Sequence, residues 1–419
     1  MVKYYRKERK MSQEELSHGI ISVSYLSKIE NNKMEPDYEI LKLLAERLVV
    51  NPNVFVIETK EELLSKLFEF YNKIVKRDFE QVNTEFTLLM QQFEGSIIPI
   101  PQNLHFSYQV VKLRYLLFKK EEKETRELFE VVNKIPPSGN ERMEYIKFKT
   151  IALYYQLRNS ALKANEYYVS ALEILKNGTI SVIVEDKAEL YYQLALVKGN
   201  LCDIYESIYF CNKALKLYQS LYYLKRSAEC HIILGANNNR IKQYHLAEEA
   251  YESALAVSKI LNDDTLESII LQNIGSLKSD LHDSESAIKY YLASFKKKKE
   301  NKRSLTTVYS LVLEYFKNGR FTESLEWSKK GIQLAELHNS KEYKIHFFIY
   351  QDLITKNPEL TQYIKEEAIP FFYSINREDY VSKYTELLAE LHYDNKKYKL
   401  ASTYYKESLA VLKKISFHI

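Results

Sequence analysis

LGANNNRIKQYHLAEEAYESALAVS (234–258) and IGSLKSDLHDSESAIKYYLASFKKK (274–298) are two versions of one pattern, forty positions apart. Leu234 aligns with Ile274, Gly235 with Gly275, Ala247 with Ala287, Tyr251 with Tyr291, and Ala254 with Ser294. A small residue followed twelve positions later by small, aromatic and small residues is what two antiparallel helices need to approach closely, the aromatic filling the gap to the next pair. The same register is met by Ala152 with Ala164, Tyr168 and Ala171, and by Ala195 with Ser207, Cys211 and Ala214. A weaker unit carries Val312, Ser324, Ser328 and Gly331, and a late one Ala389, Ala401, Tyr405 and Ser408. An aliphatic residue (Ile151, Leu194, Leu234, Ile274, Leu311, Leu388) precedes the first small residue each time. The interval before Ser408 leaves room for a degenerate unit around Glu342–Tyr373, whose second helix Pro370 disturbs.

No such unit buries its apolar face alone, so at least three must stack. The pattern resembles a tetratricopeptide array, which implies a right-handed α-solenoid of about seven units over residues 139–419, one of them degenerate. Ahead of it, residues 56–138 read as a helical linker region, with helices at Lys60–Val75, Phe79–Phe93, Asn103–Lys120 and Glu124–Asn133. IIPIPQ (97–102) is the clearest linker.

Composition agrees with an all-α chain. Nine glycines and eight prolines in 419 residues are too few for a turn-rich β protein. Lys+Arg 60 against Asp+Glu 56 leaves a net charge of +4, so any nucleic-acid surface must be local. Cys202, Cys211 and Cys230 form no CxxC and are expected on apolar helical faces. With no signal peptide and no long apolar run, a cytoplasmic protein without a membrane partner is expected. The nine histidines are dispersed, and HExxH, GxSxG and glycine-rich phosphate loops are missing. No enzymatic activity, cofactor or metal is therefore expected, and His231 and His346 are read as packed or solvated. The Lys296–Lys299 run reads as a solvated turn.

Residues 1–55 are different. Ser12 and Glu15 form a capping box ahead of a short helix that buries Leu16 and ends near Gly19. Ser22 or Ser24 caps the next helix, with Leu26 and Ile29 inward. Asp37 caps a third, with Leu41, Leu44, Ala45 and Leu48 on one side, and Asn51-Pro52 stops it. SQEEL, then S-x-x-x-L-S-K-I-E and NNK-x-E-P, resemble the Xre/Cro-type helix-turn-helix. That resemblance implies that Gln13 contacts a phosphate and braces the reading helix. It places Val23, Ser24 and Lys28 at base edges (Val23 for a thymine methyl, Ser24 to donate or accept, Lys28 for guanine) and counts Ser22 beside them among the DNA-binding residues. Asn31, Asn32 and Lys33 would grip phosphate, with Lys3, Arg6 and Lys7 helping from the first helix. Such a small reader needs a second copy for affinity, so a homodimer is expected on double-stranded operator DNA.

In the repeats, the register places Tyr192, Gln272 and Tyr309 inward in successive units, and Asn200 and Asn239 inward near first-helix ends. An Asn carboxamide can clamp a peptide backbone bidentately, and Arg240 can pair with a carboxylate. Asn237 and Asn238 are expected to cap helix ends or to bond within turns. An Xre-type reader joined to such an array resembles the RRNPP family (Rap, Rgg, NprR, PlcR, PrgX), closer to its NprR and Rap types. The resemblance implies a quorum-sensing transcription regulator in which a short signalling oligopeptide on the concave face switches DNA binding or oligomeric state. Two other readings stay open: a Rap-like protein that binds, inhibits or dephosphorylates a response regulator, with Gln91 and Gln92 positioning a water, and a plain tetratricopeptide adaptor.

Overall fold

The computed structural model describes residues 2–31, 33–34, 36–50, 52, 60–77, 79–94, 101–137 and 139–417. The chain forms two compact units, Met1–Leu190 and Tyr191–Ile419. Every regular element among the described residues is helical.

Four short helices open the first unit: α1 (Val2–Glu8), α2 (Gln13–Ser17), α3 (Val23–Glu30) and α4 (Tyr38–Leu48). They close over Val2, Leu16, Leu26, Ile29, Leu44, Ala45 and Leu48. Helices this short are marginal alone, so their ends matter. Ser12 Oγ accepts from the Glu15 amide at 3.1 Å while Glu15 Oε2 accepts from the Ser12 amide at 2.6 Å. Gly19 takes φ +71°, as the left-handed end of α2 requires. Ser22, not Ser24, caps α3, accepting from the Tyr25 amide at 3.2 Å. Asp37 stands at the N-cap of α4 but its side chain makes no capping bond. The expected stop at Asn51 lies outside the described residues.

The next helices are α5 (Lys60–Lys76), α6 (Phe79–Glu94), α7 (Gln102–Lys119) and α8 (Glu122–Val132), within two residues of the expected spans. Most of the IIPIPQ linker lies outside the described residues. The first repeat pair follows as α9 (Glu141–Gln156) and α10 (Ala161–Lys176), and then α11 (Val184–Asn200) begins.

Three of these helices and α11 meet in a buried charge network. Lys149 on α9 bonds the Asp186 carboxylate and reaches Glu189 Oε2 at 3.1 Å. Arg114 on α7 bonds Glu189 Oε1 at 2.6 Å, and the Tyr71 hydroxyl on α5 donates to Asp186 Oδ1 at 2.8 Å. Two cations and two carboxylates thus cancel out of reach of water. Burial, then the Asp186 charge, pushes the Tyr71 phenol well up, so it stays a donor.

The second unit continues with α12 (Ile204–Ser220), α13 (Leu224–Arg240), α14 (Tyr244–Ile260), α15 (Asp264–Asp280) and α16 (Ser284–Lys298). Then come α17 (Ser304–Lys317), α18 (Phe321–Leu337) and α19 (Lys341–Thr355). The expected register is what packs. A Cβ on Gly235 would lie 2.5 Å from the Tyr251 ring, and one on Gly275 2.6 Å from Tyr291. The aromatic therefore covers the glycine of its own pair as well as facing the next. Where serine takes the small position, its hydroxyl crosses the pair: Ser207 donates to Ala195 O at 2.6 Å and Ser324 to Val312 O at 2.9 Å.

In the degenerate pair the second helix is broken into α20 (Leu360–Tyr363), a π turn (Ile364–Ala368) and α21 (Ile369–Ser374). Pro370 has no amide hydrogen to give, and the wider turn before it absorbs that loss. The last pair is α22 (Glu378–Asp394) and α23 (Tyr398–Phe417). Its Tyr405 is exposed, unlike Tyr251 and Tyr291, since no further pair lies over it in this structure.

Three details correct the sequence reading. Cys202 is not on a helical face but in a turn at φ +61°, exposed, while Cys211 and Cys230 are buried. The lysine run belongs to the end of α16, where Lys297 pairs with Asp264 and Glu267. Lys298 there is buried against Thr307 Oγ1 at 2.6 Å rather than solvated, and burial lowers it to about 8.

Candidate functional site

The first candidate surface is the exposed side of α3. Val23, Ser24 and Lys28 are all exposed on it, as are Asn31 and Lys33 just beyond. Asn32 lies outside the described residues. Ser22 is exposed, with its hydroxyl used as the N-cap acceptor. Asn31 is partly engaged already: its amide donates to Ser27 O at 2.8 Å, and its Oδ1 accepts from Lys3 at 3.4 Å.

Behind that surface lies a brace. Gln13 Nε2 donates to Glu30 Oε2 at 2.7 Å, tying the start of α2 to the end of α3. Arg6 of α1 donates to both oxygens of the same carboxylate, at 2.6 and 2.8 Å. Burial alone would raise Glu30, but the bonds from Arg6 and Gln13 outweigh it and hold the carboxyl below its usual range. Arg6 is therefore not the free phosphate-gripping group the sequence suggested: its planar fork is committed within the domain. Lys3 and Lys7 remain exposed. Arg47 adds a further tie, donating to Leu16 O at 3.2 Å and to the His18 carbonyl at the open end of α2.

The second candidate surface is the layer of first helices in the repeats. Polar bonds join each first helix to the next at one-repeat spacing. Arg240 donates to Gly199 O at 2.7 Å, Asn239 to Asp280 at 2.7 Å, Gln272 to Ser310 at 2.9 Å, and Thr306 meets Tyr343 at 2.7 Å. Asn239, Arg240 and Gln272 are thus on this layer, each with bonding capacity left: the Asn239 and Gln272 carboxamide oxygens lack a partner. Asn200 is exposed at the end of α11, and Tyr192 is half-buried with the Arg226 guanidinium 5.5 Å from its ring. Tyr309 is buried on α17. The six residues are strung along four helices rather than gathered in one pocket. A cavity of about 480 Å³ among α12, α13 and α14, lined by Tyr205, Ile208, His231 and Leu246, contains none of them. Asn237 corrects expectation: it neither caps nor turns, but is buried mid-layer and donates to Ser207 Oγ at 2.7 Å.

The surroundings of Tyr309 follow no pattern legible in the sequence. His346 on α19 stacks on it at 4.6 Å, and its Nδ1 meets the Tyr384 hydroxyl. The imidazole is fully buried, with Nε2 unpartnered. Burial first, then the Lys383 and Arg377 charges, lower it to about 3, with Asp379 opposing. Below its ordinary value near 6.5 the unfolded chain takes up a proton that the folded one refuses. Stability from this group is complete above about pH 6.5 and is lost as pH falls toward 3, by up to ~1.4 kcal/mol per unit. Urea midpoints should therefore fall more steeply with acid in the wild type than in His346→Gln; equal slopes would refute it.

Gln91, named for a water-positioning role, is exposed on α6, and nothing is described of the Gln92 side chain. Among the described residues no three His, Cys, Asp or Glu gather as a metal site, and no helix is long and apolar enough to cross a membrane.

Residues 2–55 match the family model described as helix-turn-helix. The chain is 32% identical over 408 residues to the transcriptional activator NprA of Geobacillus stearothermophilus, covering 95% of this chain and 99% of that one. It is 24% identical to response regulator aspartate phosphatase I of Bacillus subtilis (strain 168), covering 84% and 90%. Its fold is that of NprR. The apo quorum sensor from B. thuringiensis aligns with a TM-score of 0.71 at 22% identity, covering 85% of this chain and 100% of that one. NprR with its cognate peptide NprX aligns at 0.62 and 23%, covering 84% and 99%.

Proposed function

Because this chain belongs to the RRNPP family, as an NprR-like member, we propose that it is a cytoplasmic transcription regulator switched by a short signalling peptide. Residues 1–55 read operator DNA, residues 139–419 hold the peptide on the first-helix layer, and residues 56–138 join them. The observation that carries the reading is near full-length similarity to NprA together with an α3 whose polar residues stand exposed over a braced core. Val23, Ser24 and Lys28 contact bases; Gln13 and Ser22 at the helix starts, with Asn31, Asn32 and Lys33, contact the backbone. Two copies act together on paired half-sites. Tyr192, Asn200, Asn239, Arg240, Gln272 and Tyr309 contact the peptide, which shifts the balance between two states by its differential affinity for them.

Lys28→Ala tests the assignment. Wild-type protein should retain a defined set of sheared host genomic fragments, and the variant should lose them by about tenfold or more, as one good base contact is worth ~1–3 kcal/mol. The peptides that co-purify with both proteins, read by mass spectrometry, should match. A wild-type protein that ignores duplex DNA with and without host-derived oligopeptides would end this reading.

The similarity to an aspartate phosphatase over 84% of the chain supports a second activity toward a phosphorylated receiver domain. Faster loss of phosphate from an aspartyl-phosphate receiver on adding purified protein would establish it.

A further inference from the structure

Lys383 lies on α22, the first helix of the last pair, yet its ammonium donates to the Tyr309 hydroxyl of α17 at 2.8 Å. The bond reaches across α19, which lies between them in the order of pairs, so it sits on the first-helix layer. Three rings surround the cation, with centroids at 5.3 Å (Tyr309), 5.6 Å (Tyr350) and 5.9 Å (Tyr384). Ring faces stabilise a cation that has left water. They do not neutralise it.

The carboxylate acting on Lys383 is Asp379, one turn earlier, and it is held by Arg377 through bonds of 2.9 and 2.8 Å. The other charge acting on it is a second cation, Lys317, exposed at the end of α17. Neither lysine has an ion-pair partner among the described residues. Burial, then Lys317, lowers Lys383 to about 8, with Asp379 opposing. The three other withdrawn lysines differ: Lys147 donates to Ile135 O at 2.6 Å and pairs with Glu144, Lys149 is neutralised by Asp186 and Glu189, and Lys298 is closed over by Thr307. Lys383 alone of the four is only half-buried. A cation partly stripped of water and left unpaired costs free energy, which an anion arriving from solvent recovers.

We propose that Lys383, with Lys317 beside it and Tyr309 beneath, is the anchoring subsite for a carboxylate of the bound peptide. The inference rests on the reading of the first-helix layer as the peptide site. The carboxylate is that of the chain end or of an Asp or Glu side chain, since both present the same two oxygens.

The test uses the full chain and three randomised heptapeptide pools: free acids without Asp or Glu, the same pool as C-terminal amides, and amides with Asp and Glu allowed. Retention of each pool is read by equilibrium dialysis. Lys383 itself is read by mass spectrometry after reductive dimethylation. One of the acid-bearing pools should slow modification of Lys383 about tenfold relative to the uncharged amides, with exposed Lys7 unaffected. Which pool does so identifies the source. Lys383→Met should retain all three pools alike, and the protection measured on the wild type needs no variant to fold. Pools retained with Lys383 equally modified in each would overturn the subsite and leave the peptide site standing. A wild type that retains none of the pools would overturn the peptide site, and the subsite with it.

Discussion

Lys149→Met is expected to destabilise the first unit by about 3–5 kcal/mol, the cost of removing one partner from a buried ion pair. Asp186 and Glu189 would keep a single cation, Arg114, between two carboxylates that are almost wholly out of water. The urea midpoint of the full chain should drop, and amides of α5, α7 and α9 should exchange faster together, because the network joins those helices. Adding Asp186→Leu should recover a large part of the loss, as the surplus charge leaves with it. A shift under about 1 kcal/mol in the single variant would mean that water reaches the site and screens it.

Glu30→Ala should have the next largest effect, about 3 kcal/mol on the amino-terminal helices, near the low end for such pairs. It strands the Arg6 guanidinium and the Gln13 carboxamide, which converge on the one carboxylate within 2.6–2.8 Å. DNA retention should fall with it although Glu30 faces away from the exposed residues of α3, because α2 and α3 lose their mutual alignment. The comparison with Lys28→Ala is diagnostic. Both lose DNA, but only Glu30→Ala lowers the melting temperature of these helices, and both should keep the peptide. If Glu30→Ala binds DNA normally, the brace is dispensable and α3 is held by its apolar core alone.

These two sites also mark what could be read in the sequence. The caps at Ser12 and Ser22, the left-handed Gly19 and the inward Leu26 and Ile29 are local signals within a few residues of one another, and local chemistry decides them. The repeat was legible for a stronger reason: Gly235 and Gly275 are required by a ring that would otherwise overlap a Cβ. The turns were less so. Cys202, Tyr222, Lys242, Asn262 and His282 fall every twenty residues and all take positive φ, yet none is glycine. Helix packing on both sides imposes that conformation, which costs a side chain more than it costs glycine.

Long-range polar chemistry left no trace in the pattern. Tyr71 and Asp186 are 115 positions apart, and Lys383 and Tyr309 are 74 apart. No periodicity links such pairs. The expectation for Asn237 failed for the related reason that Asn near a helix end is usually a cap, and only the neighbouring Ser207 hydroxyl makes it an interior group.

The π turn before Pro370 has a geometric corollary. Leu360, Ile364, Ala368 and Phe372, each buried, follow one another at steps of four. On an undistorted α-helix every such step overshoots a full rotation by about 40°, so three steps would wind the last side chain about 120° around the axis. Widening one coil by a single residue takes back part of that winding and lets all four drop along one straight seam. A helix that looks damaged in the linear text is thereby phased to its neighbours, and trimming one residue from Ile364–Ala368 would swing Phe372 out of the seam.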